Sequence, residues 1–235
     1  MIDTSRYEHK YLLTIKEYYM IKFALKPFVE QDPFSTVAKN ERYLVRSLYY
    51  DSLDLKAYQD RDHGIYGRIK CRIRAYSHEP SQQQPISIEI KTKRGTFQTK
   101  YNTLVPAYYY DEFLLNKAFP DNHDPVLTEF ARLVKTRQLS PQYLVQYYRE
   151  GYISKFKEDV RITFDHEVKS ARTVDLYDKD ILLKNHQPAY IVLEIKYAKD
   201  EPAWLTTLIK KYSLKRESNS KYIQSVDQFK PIILK

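Results

Sequence analysis

Charged and apolar residues alternate with a period of two in several short stretches of this chain. A strand turns successive side chains to opposite faces, so such alternation predicts half-buried strands. We read strands at 6–13, 44–50, 68–76, 86–93, 96–104, 142–152, 160–165 and 191–197. Between several of them the apolar spacing changes to three and four, the mark of an amphipathic helix. Thr14 with Glu17 three residues on forms a capping box. The helix it opens has Ile21, Ala24, Leu25, Phe28 and Val29 as its apolar stripe, with Pro33 beyond its end. Asp51 or Ser52 is placed to cap a short helix through Tyr58, and 106–117 reads as another. Asp124-Pro125 is a cap followed by proline at the first helical position, with Val126, Leu127, Phe130 and Val134 on one side of the helix it starts. Residues 203–212 and 219–229 read as C-terminal helices.

The polar faces of the predicted strands are strongly charged. Arg68, Lys70, Arg72 and Arg74 occupy alternate positions, with Ile69, Cys71 and Ile73 between them. Arg6-x-Glu8-x-Lys10, Glu89-x-Lys91-x-Lys93 and Glu194-x-Lys196 each place a glutamate two residues before a lysine. On any one strand this is the wet face of an antiparallel sheet. Its recurrence on four strands suggests more. If the helices cover the apolar faces, the charged faces are left to meet one another, and closing the sheet abolishes its edges. The predicted fold is therefore α+β: an eight-stranded antiparallel β-barrel, a tunnel with a charged lumen, wrapped by amphipathic helices.

Composition narrows the function classes. With 4 glycines in 235 residues, no glycine-rich phosphate loop is present. The net charge of +9 points to an acidic partner: nucleic acid, a membrane surface or a phosphorylated molecule. The single cysteine, Cys71, excludes an intrachain disulfide and reads as a core thiol. The 6 histidines are scattered, without metal-ligand spacing. No apolar signal run or membrane-length stretch is seen, and no composition break or linker. The expectation is one cytoplasmic domain over residues 1–235.

The candidate lumen group is Arg6, Lys10, Arg68, Lys70, Arg72, Arg74, Lys91, Lys93, Lys100, Arg149, Arg161 and Lys196, against Glu8, Glu89 and Glu194. Two like charges about 4 Å apart repel by about 4 kcal/mol at an effective dielectric of about 20. A chain of phosphates would relieve that strain, since guanidinium forks and ammonium groups suit phosphate oxygens. A carboxylate among such cations ionises readily. It is then a poor general base and a good ligand for Mg²⁺ or Mn²⁺, which favour one or two carboxylates plus substrate phosphates.

Eight segments in order resemble a known family. They are Arg6-Tyr7-Glu8-His9-Lys10-Tyr11, Ser47-Leu48-Tyr49-Tyr50-Asp51, Lys70-Cys71-Arg72-Ile73-Arg74-Ala75-Tyr76 and Ile88-Glu89-Ile90-Lys91. The others are Tyr147-Tyr148-Arg149-Glu150-Gly151-Tyr152, Val160-Arg161-Ile162-Thr163-Phe164-Asp165, Val192-Leu193-Glu194-Ile195-Lys196-Tyr197 and Ser220-Lys221-Tyr222. Together they resemble the VTC-domain polyphosphate polymerases of the triphosphate tunnel (CYTH-like) superfamily, over nearly the whole chain. The resemblance implies an eight-stranded tunnel and transfer of the ATP γ-phosphate to a growing polyphosphate chain with Mn²⁺ or Mg²⁺. It implies that Lys10, Arg72, Arg74, Lys91, Lys100, Arg149, Arg161 and Lys221 bind phosphates, joined on the face pattern by Lys70 and Lys196. Glu194 would hold the metal, with Glu8 and Glu89 as further candidates, and Arg72, Arg74 and Lys221 would serve catalysis beside Glu194. The implied partners are ATP, triphosphate and polyphosphate, with no nucleic acid.

One departure from the pattern bears on the reaction. Superfamily hydrolases and cyclases often begin Glu-x-Glu-x-Lys, whereas Arg6 stands here in place of the first glutamate. That favours the polymerase branch. Two alternatives stay open: hydrolysis of tripolyphosphate or nucleoside triphosphate in the same tunnel, and a non-enzymatic module binding polyphosphate or nucleic acid. Single-strand binders interleave aromatics with their charges. Here Tyr7 and Tyr11 fall on the strand face opposite the charges.

Overall fold

The computed structural model describes residues 7–95, 97–121, 123–156, 158–198 and 200–230. Arg6 and Thr96, both included in the predicted strands, lie outside the described residues. The strands are β1 (Tyr7–Thr14), β2 (Val29–Gln31), β3 (Tyr43–Asp51), β4 (Gly67–Ala75), β5 (Ile86–Arg94), β6 (Phe97–Val105), β7 (Ser140–Ser154), β8 (Val160–Arg172), β9 (Lys184–Asn185) and β10 (Tyr190–Tyr197). The helices are α1 (Ile15–Leu25), α2 (Pro33–Val37), α3 (Lys56–Asp62), α4 (Tyr108–Asn116), α5 (Pro125–Thr136), α6 (Ala203–Lys211) and α7 (Lys221–Phe229).

The fold is a mixture of helices and antiparallel sheet, as predicted. The sheet differs from prediction in number and closure. It has ten strands in the order β1-β10-β8-β7-β3-β4-β5-β6, with β2 on β7 and β9 on β8. β1 and β6 end the series and do not pair with each other among the described residues. The two added strands, β2 and β9, are three and two residues long, too short for alternation to reveal.

The chain divides into two compact units, each assembled from separate segments. The first comprises residues 1–44, 147–168 and 185–220, the second 45–146, 169–184 and 221–235. β7 and β8 contribute residues to both.

In the first unit, β10 lies between β1 and β8 in antiparallel register. α1 and α6 cover the apolar face. Their Tyr18, Ile21, Leu25, Leu205 and Leu208 pack in one buried cluster with Leu13, Ile162, Phe164, Leu193 and Ile195. Thr14 caps α1 as predicted: its hydroxyl accepts from the Glu17 amide while the Glu17 carboxylate takes the Thr14 amide at 2.8 Å. The helix ends at Leu25, so Val29 belongs to β2 and not to the helical stripe. Pro27 explains the early stop, since proline has no N–H to continue the helical hydrogen bonds and its ring clashes with the preceding turn.

In the second unit, β3, β4, β5 and β6 run antiparallel in sequence order. α4 and α5 cover their apolar face. Phe113, Leu127, Phe130 and Leu133 cluster with Leu48, Cys71, Ile73, Ile88 and Ile90. Cys71 is the expected core thiol, 1% exposed, and burial pushes it up to about 12. Asp124 caps α5 as predicted, accepting from the Val126 and Leu127 amides at 2.7 and 3.2 Å. Asp51 and Ser52 both serve α3, from several residues upstream: Asp51 Oδ1 accepts from the Ala57 amide at 2.9 Å and Ser52 Oγ from the Lys56 amide at 3.0 Å.

Candidate functional site

In both units the helices take the apolar strand face and leave the charged face uncovered by that core. The strand register then sets the charged rows. In the second unit Tyr49, Arg72, Glu89 and Asn102 stand opposite one another across β3, β4, β5 and β6. Lys70, Lys91 and Lys100 form the next row, and Ser47, Arg74 and Ser87 the row on the other side.

Glu89 is the hub of this arrangement and is 2% exposed. Its Oε2 accepts from Arg72 Nε at 2.9 Å and Nη2 at 2.6 Å, with Lys100 Nζ at 3.3 Å. Its Oε1 faces Arg74 Nη1 at 3.3 Å. Burial opposes ionisation of Glu89, but the charges of Arg72, Arg74 and Lys100 outweigh it and hold the carboxyl far below its usual range. Burial pushes Lys100 down to about 8. Glu89 resists that fall, and the positive charges of Arg72 and Arg74 add to it.

Tyr49 and Tyr222 complete this cluster. Arg72 Nη1 donates to the Tyr49 hydroxyl at 2.7 Å. Burial works against the Tyr49 phenolate, yet Arg72, Arg74 and Lys221 bring its pKa below the ordinary value. Tyr222 stacks on Tyr49 at 5.1 Å between centroids, donates a short hydrogen bond to Asp51, and has Lys70 Nζ 5.5 Å from its ring centre. These contacts fix the start of α7, where Lys221 is 9% exposed. Aromatic side chains thus do sit among the charges in this unit, which corrects the expectation drawn from Tyr7 and Tyr11.

In the first unit Lys10 stands opposite Glu194, and Lys196 lies between Glu8 and Arg161. Lys10 Nζ reaches Glu8 Oε1 at 3.0 Å and Glu194 Oε2 at 3.6 Å, and donates to the Asn219 carbonyl at 3.0 Å. Lys196 Nζ meets Glu194 Oε1 at 2.6 Å and Glu8 Oε2 at 3.9 Å. Two carboxylates and two ammonium groups therefore interleave on this face.

The remaining two predicted phosphate ligands already carry carboxylate partners. Arg149 forms a fork on Asp165, with Nε to Oδ1 at 2.6 Å and Nη2 to Oδ2 at 2.8 Å, both residues buried. Burial works against the Arg149 charge, but Asp165 more than restores it. Arg161 Nη2 donates to Asp32 Oδ2 at 2.8 Å. Asp32 also caps α2 through the Ser35 amide, and its carboxylate lies over Gly151, where a Cβ would collide with it. The cation surplus expected from sequence was too large because these two aspartates were left out. Asp165 was legible in Arg161-x-Thr163-x-Asp165, a same-face alternation. Asp32 was legible only as a cap before Pro33 and not as a partner of Arg161.

The carboxylates expected to hold a metal do not assemble as three. Among the described residues no group of three His, Cys, Asp or Glu side chains is placed to hold an ion. Glu8 and Glu194 share one cluster; Glu89 belongs to the other unit and is engaged by three cations. Two carboxylates suffice for Mg²⁺ or Mn²⁺ when substrate phosphates supply further oxygens. By that measure Glu8 and Glu194 fit a divalent ion.

The family model described as the VTC domain matches residues 5–230. The chain belongs to the VTC domain family. No curated protein matches this VTC domain. Among solved structures it is similar to a candidate adenylate cyclase from Bacillus halodurans, at 14% identity and TM-score 0.53, covering 92% of this chain and 94% of the other. A candidate adenylate cyclase from Vibrio parahaemolyticus is similar at 12% identity and TM-score 0.47, covering 94% and 98%. At such identity the first likeness shows the fold. No described helix of this VTC domain is long and apolar enough to cross a membrane.

Proposed function

We propose that this VTC domain is a metal-dependent phosphotransferase that moves the γ-phosphate of ATP onto a growing polyphosphate chain. One observation carries the reading: Arg72, Arg74 and Lys100 converge on a single buried carboxylate, leaving more positive than negative charge on a face the core does not cover. A phosphate chain is an anion suited to such a face, and family membership supports the polymer as its source. Phosphoryl transfer asks the protein mainly for positioning and charge neutralisation.

The residues take the following roles. Lys70, Arg72, Arg74, Lys91, Lys100 and Lys221 bind phosphate oxygens in the second unit, and Lys10, Arg149, Arg161 and Lys196 do so in the first. Arg72 and Arg74 present rigid guanidinium forks suited to paired oxygens, while Lys221 brings a point charge. Glu89 holds the forks in place by preventing them from repelling each other. Glu194, with Glu8, would hold Mn²⁺ or Mg²⁺, which neutralises phosphate charge when bound. Lys10 and Lys196 pair with both carboxylates and orient them.

Incubation of the purified protein with ATP and Mn²⁺, followed by gel analysis of the products, tests the proposal. Long-chain polymer is the expected result. Orthophosphate alone would instead assign hydrolysis of the triphosphate, and no turnover with retained polyphosphate binding would assign a binding module.

A further inference from the structure

Side chains of the first unit that bury polar atoms without a hydrogen-bond partner among the described residues include Arg161 (Nε), Thr163 (Oγ1) and Asn219 (both amide atoms). Thr163 is 4% exposed and Asn219 5%. An unmade hydrogen bond on a buried group costs about 1–3 kcal/mol, and native proteins leave few of them.

These groups belong to one neighbourhood. Thr163 stands directly opposite Glu194 in the β8–β10 register, and facing residues of paired strands share a face. Arg161 lies two residues earlier on that same face, opposite Lys196. Asn219 accepts from Lys10 through its backbone carbonyl, and Lys10 faces Glu194 from the other side. All three thus adjoin the Lys10–Glu194–Lys196 cluster.

The chemistry of the missing partner follows from the donors. Arg161 Nε can only donate, whereas the threonine hydroxyl and the asparagine carboxamide can donate or accept. A partner that accepts satisfies Arg161 Nε, the threonine hydroxyl and the asparagine NH₂ together, while Asn219 Oδ1 needs a donor of its own. A phosphate offers several accepting oxygens to such donors. We propose that Thr163 and Asn219 are uncharged donors to phosphate oxygens and, with Arg161 Nε, form a directional phosphate subsite in the first unit. The inference rests on the phosphate-polymer reading above. Lysines attract any anion, whereas a fixed hydroxyl and amide select one whose oxygens meet them at hydrogen-bonding distance.

Calorimetric titration with tripolyphosphate, paired with thermal unfolding of the unliganded protein, tests the assignment in wild type, Thr163→Val, Thr163→Ser and Asn219→Leu. Thr163→Val and Asn219→Leu are expected to weaken binding on the order of tenfold. Thr163→Ser keeps the hydroxyl and is expected to bind like wild type. Unliganded Thr163→Val should melt at or above the wild-type temperature, since it removes an unsatisfied hydroxyl. Unchanged affinity in Thr163→Val, or a lower melting temperature with unchanged affinity, would overturn the proposal. Should that variant not fold, Asn219→Leu carries the same comparison. Wild-type protein that binds no tripolyphosphate would instead overturn the functional reading, and this subsite with it.

Discussion

Arg72 donates from both Nε and Nη2 to the same oxygen of Glu89, at 2.9 and 2.6 Å. A guanidinium fork usually spans two oxygens of a carboxylate. Here the other oxygen is turned to Arg74, and Lys100 closes on the first. One carboxylate therefore restrains three cations.

Replacing Glu89 tests that restraint. Glu89→Gln removes the carboxylate charge that Arg72, Arg74 and Lys100 share, and loss of one partner from a buried ion pair costs about 3–5 kcal/mol. Denaturant unfolding should show a loss of that size, and tripolyphosphate should recover more stability in the variant than in wild type. An unchanged unfolding midpoint would show that the cluster is already neutralised by other means.

The same carboxylate predicts an acid-sensitive fold. Its folded pKa lies below the ordinary 4.5, so the unfolded chain binds the proton more readily. Its contribution is present in full above that ordinary value and is lost as pH falls through the folded value. Melting temperature followed downward from about pH 6 to about pH 3 should drop more steeply in wild type than in Glu89→Gln.

Lys100 predicts proton uptake on binding. At about 8 its ammonium is partly deprotonated in mildly alkaline solution. A bound phosphate favours the charged form and raises that value. Calorimetry at a pH near 8 in buffers of different ionisation enthalpy should reveal protons taken up with tripolyphosphate, and Lys100→Arg should abolish the effect. Equal apparent enthalpies in all buffers for wild type would refute it.

Glu194 separates chemistry from folding. Its carboxylate lies between Lys10 and Lys196, on the face opposite the packed core of β10. Glu194→Gln should eliminate turnover while retaining a cooperative unfolding transition, because Glu8 still compensates Lys10 at 3.0 Å. Turnover at the wild-type rate would remove Glu194 from the catalytic assignment.

Gly151 links the backbone to Arg161. A side chain there meets the Asp32 carboxylate, which binds Arg161 and caps α2. Gly151→Ala should destabilise the protein by about 1–3 kcal/mol and weaken phosphate binding together. Loss of stability with unchanged affinity would show that Arg161 does not need Asp32 in order to bind.

Local patterning determined much of this molecule. Alternation identified every strand longer than three residues, and the Thr14–Glu17 box and Asp124-Pro125 marked where α1 and α5 begin. It also placed the charges on one face, because a strand's period of two is a property of the backbone alone. Tertiary structure decided what those charges meet. Asp165 faces Arg149 and Asp32 reaches Arg161 across sequence separations of 16 and 129 residues, and pairing at such range depends on strand register and helix placement. Register likewise put Thr163 beside Glu194, and the docking of Tyr222 against Tyr49 and Asp51 put Lys221 into the second cluster. Periodicity assigns a side chain to a face, but only packing chooses its neighbour, and in a field of like charges the neighbour decides whether a cation is compensated or available.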